Sequence, residues 1–181
     1  TNNKIFYEKI KLLRSHGIIK NKNKHWDYNV NHVGYNYRLS DINCALALSQ
    51  LKKIKKFINY RKKIYLKYFK SLKNYVDLPR YSLSNNSSFH LFLISLKLNL
   101  LKTSKDKFIK FFRSKNIFLQ FHYIPIYKFK IFRNKFMKLS GAEYYYKNSL
   151  SIPIYYNLKH EDQKKIILLI KKFINRNSYK I

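Results

Sequence analysis

From Leu39 to Asp77 the chain contains neither glycine nor proline, the two residues that most readily stop a helix. Within that run Leu51, Ile54, Ile58, Tyr65, Tyr68 and Leu72 recur at steps of three, four or seven residues, which gathers them on one helical face. The spacing predicts one long helix. A small domain has no core that long, so the helix is expected to bridge two structural units. A coiled-coil seam would use the same spacing, but Arg61 occupies a seam position and the run is short.

The segments on either side differ in character. Ahead of the run, Ile5 to Arg14 places Ile5, Phe6, Ile10, Leu12 and Leu13 in a helical pattern stopped by Gly17, and Ile19 to Val33 reads as an aperiodic loop anchored by Trp26. Beyond Asp77-Leu78-Pro79 and the polar SLSNNSS, strands are expected over Phe89 to Leu98 and Ile117 to Tyr123. Between them Ser104 to Lys115 reads as a helix with Phe108, Ile109 and Phe112 inward. A short helix near Lys128 to Lys138, a turn at Ser140-Gly141, a helical turn over Glu143 to Asn148 and an extended LSIPIYY follow. The last element, Glu161 to Arg176, is an amphipathic helix with Ile166, Ile170, Phe173 and Ile174 inward. With 181 residues, 46% of them hydrophobic, there is material for a core, and the fold class is α/β: a small α/β domain hung on the long helix.

Charge is the loudest compositional signal: 39 Lys and Arg face 8 Asp and Glu, a net charge of +31. Such a balance helps DNA, RNA, an anionic membrane or a nucleotide-linked substrate approach, without choosing among them. The lysines are spread over the whole length between apolar helix positions, as on solvated helix faces. They far outnumber the arginines and keep company with Asn, Ile, Tyr and Phe, all favoured by A/T-rich codons. Compositional drift therefore accounts for the charge, and no nucleic-acid partner is expected; a basic nucleic-acid-binding module remains the rival from another class.

Cys44 is the single cysteine, so no internal disulfide forms and a reducing, cytoplasmic setting is expected. No apolar run approaches the roughly 18 to 20 residues of a membrane-spanning helix. Six histidines show no paired ligand spacing, and no metal is expected. TNNKIFYEKI has none of the parts of a targeting peptide, and an opening Thr1 suggests the continuation of a longer chain.

Two stretches carry chemistry. In VGYNYRLSD, Gly34 permits a turn or a close approach, and Ser40 or Asp41 can cap the helix that follows. A loop aimed in this way can present Tyr35, Asn36 and Arg38 to a phosphate or sugar, or be a plain loop with no ligand. At Gln120-Phe121-His122-Tyr123 a strand ends, with His122 and Tyr123 expected on opposite faces. Polar aromatics there can bond a sugar hydroxyl or phosphate, or simply finish the domain surface. There is no G-x-S-x-G, no carboxylate pair with an evident role and no glycine-rich phosphate loop among three glycines, so the chain assembles no hydrolase. Whatever chemistry exists must be completed elsewhere.

In order, RSHGI at Arg14 to Ile18, GYNYRLSD at Gly34 to Asp41, ALALSQLKKI to Ile54, HLF at His90 to Phe92, HYIPIY at His122 to Tyr127, AEYYYKNSLSIPIYYNL at Ala142 to Leu158 and the DQKKII helix resemble the C-terminal half of the DegT/DnrJ/EryC1/StrS aminotransferases. QFHYIPIYKFKIFRNKF at Gln120 to Phe136 looks most like the branch serving pseudaminic acid synthesis. The resemblance implies the C-terminal part of a fold type I enzyme dependent on pyridoxal 5'-phosphate, transferring an amino group from an amino acid such as glutamate to a 4-keto-6-deoxy nucleotide-sugar. It implies a homodimer with shared active sites, and three regions: the end of a cofactor domain at 1–40, a linking helix at 41–76 and a small domain at 77–181.

By the same resemblance Asn36 and Arg38 lie at the cofactor phosphate, and Tyr35, Asn36, Gln120, Phe121, His122 and Tyr123 at the substrate. A glycine-valine pair often precedes the His-Tyr of the family; Gln120-Phe121 stands here instead, which leaves sugar specificity open. No catalytic residue falls in the chain: the Schiff-base lysine belongs to sequence ahead of Thr1, and the 181 residues alone are expected to be inactive. An inert truncated remnant is the remaining alternative.

Overall fold

The computed structural model describes residues 1–24, 26–79, 87–132 and 139–179. They form two compact units, Thr1–Lys53 and Ile54–Ile181.

In the first unit, α1 (Lys4–Arg14) starts at Asn3, whose side chain accepts from the N–H groups of Ile5 and Phe6. Its C-terminus is closed by His16 and Gly17, both at positive φ, with the Gly17 N–H donating 3.0 Å to the Leu12 carbonyl. The stretch read as a loop holds two short antiparallel strands, β1 (Ile18–Lys20) and β2 (Tyr28–Val30), paired with Ile18 opposite Val30. Their polar, aperiodic sequence hides them, because every β2 residue is exposed and no buried face imposes alternation. Ser40 caps α2 (Asp41–Leu51), accepting from the Asn43 N–H.

The single helix expected over 41–76 is two. After Leu51 the ladder tightens, Lys53 N–H donating to Gln50 three residues back, and α3 (Ile54–Leu72) begins afresh. No glycine or proline marks the break; a change of hydrogen-bond partner suffices.

The second unit is built round an antiparallel pair, β3 (Phe92–Ser95) and β4 (Ser149–Ile152), with Phe92 opposite Ile152. Asp77 extends the ladder beside β3 and Gln120 extends it beside β4. The strand expected over Ile117 to Tyr123 is thus reduced to one bridge, Gln120 to Ser151. α4 (Lys105–Arg113), α5 (Ser140–Asn148) and α6 (His160–Asn177) complete the unit. The helix expected near Lys128 to Lys138 begins as single 3₁₀ turns at Ile126–Lys128 and Lys130–Phe132; residues 133–138 lie outside the described residues, as do 80–86 in the polar stretch after Pro79.

The core is legible from the helix patterns. α3 contributes Ile64, Tyr65, Tyr68 and Leu72, and α6 contributes Ile166, Ile170, Phe173 and Ile174, the stripe expected of it. Phe108 meets Phe173 edge to face at 5.0 Å. Tyr68 is fully buried and tolerated there because its hydroxyl donates 3.0 Å to the Pro153 carbonyl; burial pushes its pKa up. Gln163 on α6 donates 2.8 Å to the Ile64 carbonyl of α3, tying the two helices together.

Candidate functional site

The loop Gly34 to Arg38 is fastened to the end of α1 by backbone bonds. Tyr35 N–H donates 2.7 Å to Leu13, His16 N–H donates 3.0 Å to Tyr35, and Tyr37 N–H donates 3.0 Å to Arg14. The bonds from Tyr35 and Tyr37 satisfy carbonyls that the helix terminus would leave free. Gly34 is there for close approach: a Cβ would lie 2.3 Å from the Gly17 nitrogen and 2.5 Å from the His16 carbonyl carbon. Gly17 is equally constrained, with the His32 carbonyl oxygen 1.8 Å from where its Cβ would be.

On this frame Tyr35 and Tyr37 stack with centroids 4.9 Å apart, and Asn36 and Arg38 come together. Arg38 Nε lies 3.5 Å from Asn36 Oδ1, and its Nη2 lies 3.4 Å from His16 Nε2. The Asn36 oxygen faces the guanidinium, so its NH2 group remains as a donor, and the exposed guanidinium keeps further N–H groups. Pyridoxal phosphate, the cofactor that the family implies, requires such donors for its phosphate, and this set fits it. His16 belongs to the RSHGI motif, yet nothing in the sequence singles it out as the neighbour of Arg38.

The second candidate stretch lies wholly in the second unit, and its four residues part company. Gln120 exchanges two backbone bonds with Ser151, 3.1 and 2.8 Å, and lines a cavity of about 890 Å³ with Arg61, His90, Tyr155, Asp162 and Lys165. His122 Nε2 is 2.8 Å from the Ser151 hydroxyl, and its Nδ1 is buried with no partner among the described residues. Phe121 and Tyr123 line another cavity, of about 660 Å³, beside Lys105 and Tyr146. The rings of His122 and Tyr123 touch edge to face at 5.0 Å, yet His122 turns to Ser151 while Tyr123 lines the second cavity, so the two side chains part as expected.

The sequence-predicted residues therefore form two groups, Tyr35, Asn36 and Arg38 within Thr1–Lys53 and Gln120 to Tyr123 within Ile54–Ile181. Ser151 and Lys105 were not foreseen: one is a serine in a buried strand, the other one lysine among many.

The model of the DegT/DnrJ/EryC1/StrS aminotransferase family matches residues 1–171. The chain belongs to this family. The UDP-4-amino-4,6-dideoxy-N-acetyl-beta-L-altrosamine transaminase of Campylobacter jejuni is 36% identical over 168 residues, which cover 91% of this chain and 44% of that protein. The solved structure of Helicobacter pylori PseC, an aminotransferase involved in the biosynthesis of pseudaminic acid, matches with a TM-score of 0.87 at 32% identity, over 97% of this chain and 48% of PseC. Spr1654 of Streptococcus pneumoniae, a putative sugar aminotransferase solved in its PMP form, matches with a TM-score of 0.84 over 97% of this chain and 46% of its own; at 19% identity it speaks for the fold alone.

The chain spans about half the length of the relatives it matches. Its α/β fold is that of part of a pyridoxal-phosphate-dependent aminotransferase, as the resemblance implied, and relatives in pseudaminic acid synthesis are among its matches. Among the described residues no helix is long and apolar enough to cross a membrane.

Proposed function

We propose that the chain is part of a cytoplasmic, homodimeric aminotransferase that moves an amino group from an amino acid, glutamate first among candidates, to a 4-keto-6-deoxy nucleotide-sugar in the synthesis of pseudaminic acid or a related surface glycan. The observation that carries this reading is the loop from Gly34 to Arg38, whose two donor side chains are aimed by backbone bonds to α1. Pyridoxal phosphate supplies the electron sink for amino transfer when bound. Asn36 would hold the phosphate through its amide N–H, and Arg38, beside the Asn36 oxygen, would balance the charge. Residues 1–40 belong to the cofactor side, 77–181 form the small domain, and the loop serves the neighbouring subunit's site. Tyr35, Gln120, Phe121, His122 and Tyr123 orient the nucleotide-sugar, with the His122 ring held by Ser151.

The whole protein containing these residues tests the reading through Asn36→Ala. Loss of a hydrogen bond to a charged phosphate is expected to cost about 1.5 to 3 kcal/mol, roughly ten- to a hundredfold in cofactor affinity. Equilibrium titration with pyridoxal phosphate measures it, and affinity equal to the wild type would remove Asn36 from the site.

A further inference from the structure

His16 holds a backbone conformation that a side chain does not favour. Its φ is 64°, in the left-handed region; Gly17, next in the chain at φ 71°, adopts that region without a Cβ to object. Closing the helix does not call for an imidazole. The His16 N–H donates 3.0 Å to the Tyr35 carbonyl, a backbone bond open to any residue but proline, and glycine or asparagine takes such a turn more readily. Nor does burial call for the ring, since His16 is exposed. The fold by itself gives no reason for a histidine here.

What the ring meets is Arg38, whose Nη2 lies 3.4 Å from His16 Nε2. A guanidinium donates and never accepts, so Nε2 is the acceptor, and the ring is neutral with its proton on Nδ1. At another corner of the same group, Arg38 Nε lies 3.5 Å from Asn36 Oδ1. Both contacts are at the long end of the hydrogen-bond range, so they orient the guanidinium more than they bind it. Two neutral acceptors therefore steer an exposed cation without cancelling its charge, and the N–H groups left over, those on Nη1 among them, are free to meet an anion. A carboxylate in the place of either acceptor would claim the charge for itself. An arginine steered in advance also loses less side-chain freedom when a ligand pins it.

We propose that His16 is a positioning residue for the cofactor phosphate, acting through Arg38: by accepting from Nη2 it keeps the guanidinium beside Asn36 before the phosphate arrives. The identity of the anion rests on the aminotransferase reading. The histidine of RSHGI thereby gains a reason that the turn does not supply.

The test takes the whole protein containing these residues through equilibrium titration with pyridoxal phosphate and chemical denaturation of the cofactor-free form. His16→Gln sets an amide oxygen near the place of Nε2, His16→Asn falls short of it, and His16→Gly has no acceptor. His16→Gly and His16→Asn are expected to be at least as stable as the wild type, and His16→Gln less stable, because the left-handed backbone favours the first two. Cofactor affinity is expected to run the other way, about three- to tenfold weaker in His16→Gly and His16→Asn and restored to within about twofold in His16→Gln. A purely structural role would move both quantities together. In an Arg38→Met background, itself expected to bind about tenfold or more weakly, His16→Gly should add no further loss. Wild-type affinity in His16→Gly, restoration by His16→Asn as full as by His16→Gln, or additive losses in the double variant each overturn the positioning role. The two readings fail separately. Nitrogen NMR of the cofactor-free protein reports the His16 tautomer: a proton on Nε2 overturns the contact whatever the cofactor, whereas a proton on Nδ1 with no binding of pyridoxal phosphate by the wild type sinks the aminotransferase reading and leaves the guanidinium steered by His16.

Discussion

The two units hold their shapes by different means. Ile54–Ile181 has a core, in which side chains from α3, β3, α4, β4 and α6 bury one another. In Thr1–Lys53 the only buried residue among those described is Gly17, and neither α1 nor α2 buries a side chain. Ile5, Phe6 and Ile10 on α1 and Ile42, Leu46 and Leu48 on α2 all stand exposed. What fixes the first unit is backbone: the capped ends of α1, the bonds from Tyr35 and Tyr37, and two glycines pressed together. Within these residues the loop from Gly34 to Arg38 is aimed by donors and acceptors that close on a helix terminus.

Amide exchange gives the largest expected contrast. The slowest amides are expected in α3 and α6, whose opening requires loss of the core, and those of α1 and α2 are expected to exchange faster by about a hundredfold or more. Equal protection in both units would dissolve the comparison. Next in size is a pair of truncations read by chemical denaturation. Ile170→Ala, at a fully buried position, is expected to cost about 2 to 5 kcal/mol. Ile10→Ala, on the exposed face of α1, is expected to stay within about 0.5 kcal/mol.

A smaller contrast lies between two glycines. Gly34→Ala forces a methyl against backbone atoms of His16 and Gly17 that have no rotamer through which to retreat, at a cost of about 1 to 3 kcal/mol. The bond from Tyr35 N–H to Leu13 should be lost with it, seen as faster exchange at Tyr35. Gly141, within α5, has nothing within 4 Å of its would-be Cβ, so Gly141→Ala is expected to stabilise by about 0.5 to 1 kcal/mol. Destabilisation there would show that the open space around Gly141 is needed.

The same contrast explains what the sequence let one read. α6 was legible because Ile166, Ile170, Phe173 and Ile174 repeat at helical spacing and are buried for that reason. The aim of the loop was half legible, through Gly34 and the Ser40 cap, since both act within a few residues. The break after Leu51 was not, because it is a change of hydrogen-bond partner between ordinary helix formers. Nor were the two cavities that Gln120, and Phe121 with Tyr123, come to line, although the parting of the side chains was; their walls come from distant sequence. Lys105 carries no local mark at all: its meaning comes from Phe121 and Tyr146, brought beside it by the fold.

The most direct test of the account is amino transfer itself, followed as 2-oxoglutarate released from glutamate in the presence of pyridoxal phosphate and a UDP-4-keto-6-deoxy-sugar. The whole protein containing these residues is predicted to turn over, to lose most of that rate with Asn36→Ala at limiting cofactor, and the 181 residues alone are predicted to give none. No turnover by the whole protein, together with a salt-resistant complex with DNA or RNA, would contradict the account and make the +31 charge the function rather than the background.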